Sequence, residues 1–293
     1  MIQVIATDLD GTLFYPKSRF AMIPKKNRRF LRRFISGGGR LVMVTSRSAE
    51  FASRMEEYFD LPFDFIGADG GFLKIDGKLV ECNCFAPATV RSLVMEIKEA
   101  FSPMIFFLSS KDRPLVMPKH GISPLVWLGY QLYTASEGCY RERAVRSDHV
   151  FFNEIEKGEV TKLMVLIGIS KKAKAMAELL SKKLAAAYPD VEVHWINQVI
   201  EITPKGCSKA SGVVKYLDYL AIPHDNVVVV GDSGNDVTMF DAFHEHSFCM
   251  KHAPKTVRCH AKTTIARFHD LAKALYPSED SKAKSQTTSK KEG

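Results

Sequence analysis

Short apolar runs alternate with stretches of helical period at both ends of the chain, and this alternation predicts most of the fold. Ile2 to Thr7 is a strand-like run that breaks into the polar turn Asp8-Leu9-Asp10-Gly11-Thr12. Pro24 to Ser36 is helical, with Phe30, Leu31, Phe34 and Ile35 forming an apolar face, and Gly37-Gly38-Gly39 stops it. Arg40 to Val44 predicts a buried strand closing on Thr45-Ser46-Arg47, Ala49 to Phe59 a helix, and Phe63 to Ile66 a third strand. Phe72 to Ile75 and Lys78 to Glu81 flank Asp76-Gly77, a hairpin signal.

Beyond this point the pattern changes. Pro87 to Phe101 reads as a helix, Met104 to Leu108 and Pro114 to Met117 as strands, and the Pro, Gly and Ser content of Ser109 to Ser123 as loops. Thr161 to Ile167 and Val191 to Ile196 are strands around the long helix Lys171 to Tyr188. Val199 to Ile202 reads as a core strand again, followed by the helix Lys209 to Leu220 and the fully apolar strand Asn226 to Val230. That strand runs into Gly231-Asp232-Ser233-Gly234-Asn235-Asp236, then a helix over Val237 to Phe243 and a strand over His246 to Met250. The expected organisation is α/β: a doubly wound, mainly parallel Rossmann-like core from residues 1–82 and 198–276, with an inserted α+β module over 83–197. Residues 277–293 are rich in Ser, Thr and Lys without apolar periodicity, and a disordered tail is expected there.

In a doubly wound sheet the ligand site lies beyond the carboxyl ends of the strands. Three polar clusters fall at such ends: Asp8 with Asp10, Thr45 to Arg47, and Asp232 to Asp236. Several carboxylates brought together repel one another unless a cation neutralises them, and all-oxygen ligation suits Mg²⁺. One carboxylate can then attack phosphorus while a neighbour serves the leaving oxygen as acid and base. Thr45, the backbone amides near Leu9 and Ser46, and the Lys209 ammonium are candidate donors to phosphate oxygens. Lys205 is a competing candidate for the cation.

Composition narrows the surroundings of this chemistry. At 293 residues, 46% hydrophobic and 25% charged, the chain has the apolar material for real cores. No secretory signal and no membrane-length apolar run is legible, so a cytoplasmic protein is expected, with no membrane partner. Six scattered cysteines, Cys82 and Cys84 among them, fit reduced thiols rather than a zinc site, and His244 and His246 fit loop residues. The net charge is +8, part of it on Lys25-Lys26 and Arg28, Arg29, Arg32 and Arg33. Without an accompanying recognition motif, this is expected to be a solvated helix face, and no nucleic-acid partner is expected.

DLDGTLF at Asp8 to Phe14, Thr45-Ser46-Arg47, Lys209 and GDSGND at 231–236 resemble the four motifs of the haloacid dehalogenase-like hydrolases, in the right order. The large insert is similar to the cap of the Cof-type branch, which contains many sugar-phosphate phosphatases. The resemblance implies a Mg²⁺-dependent phosphatase acting on a small phosphorylated metabolite, a sugar phosphate foremost, through an aspartyl-phosphate. It implies Asp8 as nucleophile and metal ligand, and Asp10 as general acid and base that also serves the metal. Thr45, Leu9 and Ser46 would hold phosphate, and Lys209 would neutralise charge. Asp232 would bind the metal, Asn235 and Asp236 would support phosphate and metal, and Arg47 would reach the substrate. Three places depart from the branch's usual pattern: Ser46 replaces a glycine, Asp69-Gly70-Gly71 replaces Asn-Gly-Ala, and Lys251-His252-Ala253 replaces Gly-Asn-Ala. A phosphosugar mutase and a non-catalytic binding protein on the same fold remain the competing readings, and the oligomeric state is not legible.

Overall fold

The computed structural model describes residues 1–276 except 19–20, 102, 112 and 197, so the tail expected over 277–293 lies outside the described residues. The first part of the chain supplies β1 (Val4–Thr7), β2 (Arg40–Val44), β3 (Asp64–Gly67), β4 (Phe72–Ile75) and β5 (Lys78–Cys82). The middle supplies β6 (Ile105–Ser110), β7 (Leu115–Met117), β8 (Ala144–Arg146), β9 (Val160–Leu166), β10 (Val191–Ile196) and β11 (Val199–Pro204). The last part adds β12 (Val227–Gly231), β13 (Ser247–Met250) and β14 (Thr263–Ile265).

These strands form two sheets. One has the order β14-β13-β12-β1-β2-β3-β4-β5, the other β10-β11-β9-β6-β7-β8. In the first, every pairing from β14 to β3 is parallel, and the β4–β5 hairpin closes the edge antiparallel. The hairpin turns at Asp76 and Gly77, both at positive φ, as an Asp-Gly two-residue loop requires.

Burial on both faces explains the valine run of β12. Val228 and Val230 join Ile5, Leu41 and Met43 in one core, while Val227 and Val229 join Val4, Ala6 and Val42 in the other. Strand alternation sends successive side chains to opposite faces, and helices cover both. Helix α1 (Lys25–Ser36) and α2 (Ala49–Tyr58) pack Phe30, Leu31, Phe51 and Met55 into the first core. In α1 the side chains of Lys25, Lys26, Arg29, Arg32 and Arg33 are exposed, so its cations form an outward face.

The second sheet carries α3 (Pro87–Phe101), α4 (Pro124–Ser136), α5 (Asp148–Lys157) and α6 (Lys171–Ala187). Of these, α4 and α5, together with β8 and β14, are not legible from the sequence pattern. Helix α4 contains no fully buried residue, and Leu125, Leu128 and Leu132 point outward beside Trp127 and Tyr130. An apolar residue on every side leaves no helical contrast to read.

One expected boundary moves. The pattern over Val199 to Ile202 predicts a strand of the first core, but β11 (Val199–Pro204) pairs antiparallel with β10 and β9 in the second sheet. Ile200 and Ile202 fill that sheet's own core with Leu163 and Val165. A short apolar run shows that a strand is buried without showing which sheet buries it. The chain therefore leaves the second sheet only after Pro204 and re-enters the first through α7 (Lys209–Tyr219), with α8 (Val237–Ala242) following β12. Among the described residues no helix is long and apolar enough to cross a membrane. All six cysteines are free, with the Cys82 and Cys84 sulfurs 3.4 Å apart.

Candidate active site

The four central parallel strands all run the same way, so the turns that follow them meet at one edge. β1 ends at Asp8, β2 at Thr45, β3 at the Ala68–Gly70 turn and β12 at Asp232. Helix α7 begins beside them: Ser208 caps it by accepting from the Ser211 N–H, and Lys209 is its first residue. Lys209 is 1% exposed.

Lys209 Nζ donates to Asp8 Oδ1 at 2.7 Å and to Asp236 Oδ1 at 2.6 Å. Lys205 instead pairs with Glu192 at the surface. Carboxylate oxygens of Asp8, Asp232 and Asp236 lie within 4.8 Å of one another. Asp236 is fully occupied: its second oxygen accepts from the Asp232 and Ser233 N–H groups at 2.8 and 2.9 Å and from the Ser233 hydroxyl. It fastens the turn and the lysine together. Asp232 accepts from Thr12 Oγ1 at 3.0 Å and has His252 Nε2 at 3.4 Å from its other oxygen. Asp8 Oδ2 is buried without a hydrogen-bond partner.

Two glycines let this crowd form. A Cβ on Gly11, at φ +83°, would stand 2.2 Å from Asp232 Oδ2, and one on Gly231 would stand 2.4 Å from Asp236 Cγ. Electrostatics follows from the crowding. Burial raises the Asp8 carboxyl well above its usual range, Lys209 opposes this, and Asp236 and Asp232 add to it. Burial and the neighbouring Asp236 likewise raise Asp232. Burial would lower the Lys209 ammonium, but Asp236 and Asp8 reverse that and raise it.

Asp10 behaves differently from the expectation of a carboxylate ring containing Asp8, Asp10 and Asp232. Its side chain turns out of the cluster, and Asp236 stands there instead. Arg47 Nε and Nη2 grip the two Asp10 oxygens at 2.6 and 2.7 Å. Burial favours a neutral Asp10, but the hydrogen bonds and charge of Arg47 outweigh it and hold the carboxyl below its usual range. Arg47 also donates to the Tyr140 carbonyl at 2.7 Å and lies over the Phe51 ring. Its contact in this structure is therefore Asp10. Thr45 is buried, and its Oγ1 accepts from the Arg47 N–H at 3.3 Å. Leu9 is fully buried, and its carbonyl accepts from the Phe14 N–H at 3.0 Å.

Several partners were not legible beforehand. Asn235 Nδ2 donates to Asp69 Oδ1 at 3.0 Å, and Asp69 Oδ2 takes Lys162 Nζ at 2.5 Å. Lys162 lies on β9, is fully buried, and also meets Glu201 of β11 at 2.9 Å. Its Nζ is 3.4 Å from the Ser46 carbonyl. The second sheet thus places a lysine against the turn that supports the GDSGND loop. One signal was present, the Asp69 replacement itself, since a buried acid needs a cation that a buried Asn does not. His252, in another of the replaced segments, lies beside Asp232 with its ring tilted against Tyr15, 4.2 Å between centroids.

The metal expectation can be tested on these groups. An orphaned buried oxygen on Asp8, the part-exposed Asp232 and an all-oxygen donor set fit a hard divalent cation. Beyond the cluster, a cavity of about 420 Å³ extends from Asp10, Ser46 and Arg47 to the second sheet and α4.

A fold of this order with these four turn sequences defines a class, and comparison with known proteins agrees. A sequence profile of the haloacid dehalogenase-like hydrolases matches residues 5–275. The chain belongs to that family, with the Cof-type layout of an inserted second sheet. The 5-amino-6-(5-phospho-D-ribitylamino)uracil phosphatase YwtE of Bacillus subtilis (strain 168) is 23% identical over 272 residues, 86% of this chain and 88% of its own length. SMU.1108c from Streptococcus mutans UA159 superposes with a TM-score of 0.77 at 19% identity, over 95% of this chain and 100% of its own. The HAD subclass IIB sugar phosphatase BT4131 has a TM-score of 0.71 at 16% identity, over 93% of this chain and 98% of its own. At such identities the two structures share the fold.

Proposed function

We propose that this hydrolase is a Mg²⁺-dependent phosphatase that removes phosphate from a small metabolite through a phosphoryl group on Asp8. The observation that carries the reading is the pair of Asp8 oxygens: Oδ1 is held by Lys209, and Oδ2 is buried with nothing bound to it. A buried acceptor without a partner is costly in a merely structural aspartate. It is what a nucleophile and metal ligand requires.

Asp8, Asp232 and the Asp10 backbone would hold the metal, with Asp236 and Thr12 fixing Asp232. A bound Mg²⁺ would supply positive charge for the phosphate oxygens and for the crowded carboxylates. Lys209 favours the ionised form of Asp8 against its burial and orients it, and its own charge would face the phosphate. Thr45 Oγ and the amides of Leu9 and Ser46 would donate to the transferring group. Asp8 attacks phosphorus, the bond to the leaving oxygen breaks, and Asp10 supplies the proton that oxygen needs. Asp10 is ionised in its grip with Arg47, so a bound phosphate dianion must first draw the guanidinium away and Asp10 must take up a proton from solvent, which it then passes to the leaving oxygen. Asp10 then takes a proton from the attacking water as the acyl phosphate is hydrolysed.

Residues 83–204 would act as the cap that excludes water, with the Lys162–Asp69 pair as its anchor on the core. YwtE by its name handles a phosphorylated ribityl compound and BT4131 is a sugar phosphatase, which supports a small phosphorylated metabolite here. Such substrates are phosphate dianions, which membranes retain inside cells, and this fits a cytoplasmic enzyme. The test is hydrolysis of 4-nitrophenyl phosphate with Mg²⁺ and with EDTA. Release of inorganic phosphate that depends on Mg²⁺ and leaves no transfer product supports the reading. No turnover by folded protein in either condition supports a binding protein, and a phosphorylated second sugar supports a mutase.

A further inference from the structure

The cavity beyond Asp10 has a lining that the phosphate chemistry does not call for. We infer that it receives the alcohol side of the substrate and that this alcohol bears no second anionic group and carries a flat aromatic ring, rather than a set of hydroxyls. The inference rests on the phosphatase reading above and narrows its substrate.

The floor is aliphatic and aromatic. Phe107 of β6, Met164 and Leu166 of β9 and Val199 of β11 present apolar side chains to it, and Tyr130 and Tyr133 of α4 form a wall. The wall is braced: the Tyr130 ring is 5.2 Å from Phe107 and stacks on Trp127 at 5.8 Å. Tyr133 is 61% exposed, so its ring is available to a ligand. A volume of about 420 Å³ suits a drug-sized or cofactor-sized group.

Arg47 is the one cation among the charged residues that line the cavity, beside Asp10, Glu137 and Glu142. Asp10 holds Arg47, Glu137 holds Lys17 at 2.6 Å, and Glu142 accepts the Ser48 N–H at 2.7 Å. Once phosphate takes Arg47, no lining cation remains to recognise a second anionic group on the leaving alcohol. A polyol would have to strip several hydroxyls of water against Met164, Leu166 and Val199, which offer no hydrogen bonds in return; the hydroxyls of Tyr130, Tyr133 and Thr134 all belong to α4. A flat ring gains from the same surface, because it buries apolar area and packs offset against Tyr133 and Tyr130.

The experiment compares benzyl phosphate with glucose 6-phosphate, both esters of primary alcohols, in the full-length protein with Mg²⁺. The expected kcat/KM is roughly tenfold or more higher for benzyl phosphate, the size of effect one aromatic contact supplies. Tyr133→Ala should shrink the ratio of the two values severalfold by raising KM for benzyl phosphate. Being exposed, Tyr133 can be replaced without unfolding the protein, and Phe107→Leu provides a second variant with the same expected direction. Equal or greater kcat/KM for glucose 6-phosphate, or an unchanged ratio in both variants, overturns the inference. If neither ester is hydrolysed, the phosphatase reading fails, and the cavity is judged by binding instead. Tighter binding of benzylphosphonate than methylphosphonate by about tenfold then upholds the aromatic pocket, and equal binding overturns it.

Discussion

Replacing Lys209 by methionine keeps most of the side-chain volume and removes one charge from a site that contains three carboxylates. The ammonium is 2.7 Å from Asp8 and 2.6 Å from Asp236, and the side chain is 1% exposed. At an effective dielectric constant of about 20, each contact is worth roughly 6 kcal/mol of Coulomb attraction before desolvation is subtracted. Removing one partner of a buried ion pair costs about 3–5 kcal/mol, since the desolvation of the others is no longer offset. For a chain of this size that lowers the melting temperature by roughly 6–20 °C. Mg²⁺ should recover part of it, and the shift on adding Mg²⁺ should be larger in Lys209→Met than in the wild type. Turnover should fall by about a hundredfold or more, the scale of losing one preorganised donor at a developing charge. Thermal melts with and without Mg²⁺, beside kcat for 4-nitrophenyl phosphate, measure all three. A variant within a few degrees of wild type that retains more than a third of its activity would show that the carboxylates do not depend on that cation.

Other consequences follow from neighbouring contacts. Gly11→Ala places a methyl 2.2 Å from Asp232 Oδ2 at φ +83°; it should cost about 1–3 kcal/mol and weaken Mg²⁺ activation, as a melt and a Mg²⁺ titration would show. Asp232→Asn should raise the Mg²⁺ concentration for half-maximal activity by roughly tenfold or more, and an unchanged titration would count against Asp232 as a ligand. Burial favours a neutral Asp69, but Lys162 and Asn235 outweigh it and hold the carboxyl below its usual range. A carboxyl lowered on folding stabilises the protein above its unfolded value near pH 4, and the contribution disappears as pH falls through the folded value. Asp69→Asn should therefore flatten the fall in melting temperature on the acid side of about pH 4, and an identical slope would contradict it.

How much of this was legible depended on whether the signal was local. The turn after β1 and the GDSGND turn after β12 carry their own residue types, so Asp8, Asp232 and Asp236 could be placed at one edge from strand order alone. Lys209 could be preferred over Lys205 by motif, and the structure brings Lys209 to Asp8 while Lys205 meets Glu192. The orientation of Asp10 was not legible, because it is set by Arg47, a residue 37 positions away in sequence. Lys162 escaped for the same reason: on β9 it is one lysine in an apolar run until Asp69 and Glu201 close around it. The strand Val199–Pro204 was recognised as a strand, yet its sheet was decided by long-range pairing with β9 and β10. Helix α4 was invisible because its apolar residues face in every direction, including the cavity wall.

On the proposed mechanism, phosphate passes through a covalent bond to Asp8. Asp10→Asn removes the group that activates the second water attack while leaving Asp8, Lys209 and Asp232 in place. The variant is mixed with Mg²⁺ and 4-nitrophenyl phosphate, quenched in acid within one turnover, digested and examined by mass spectrometry. One added phosphoryl group is expected on the peptide containing Asp8, and none when Asp8 is also changed to Asn. An active wild type whose Asp10→Asn variant releases nitrophenol in a burst without that adduct, or carries the phosphoryl group on another residue, would contradict it.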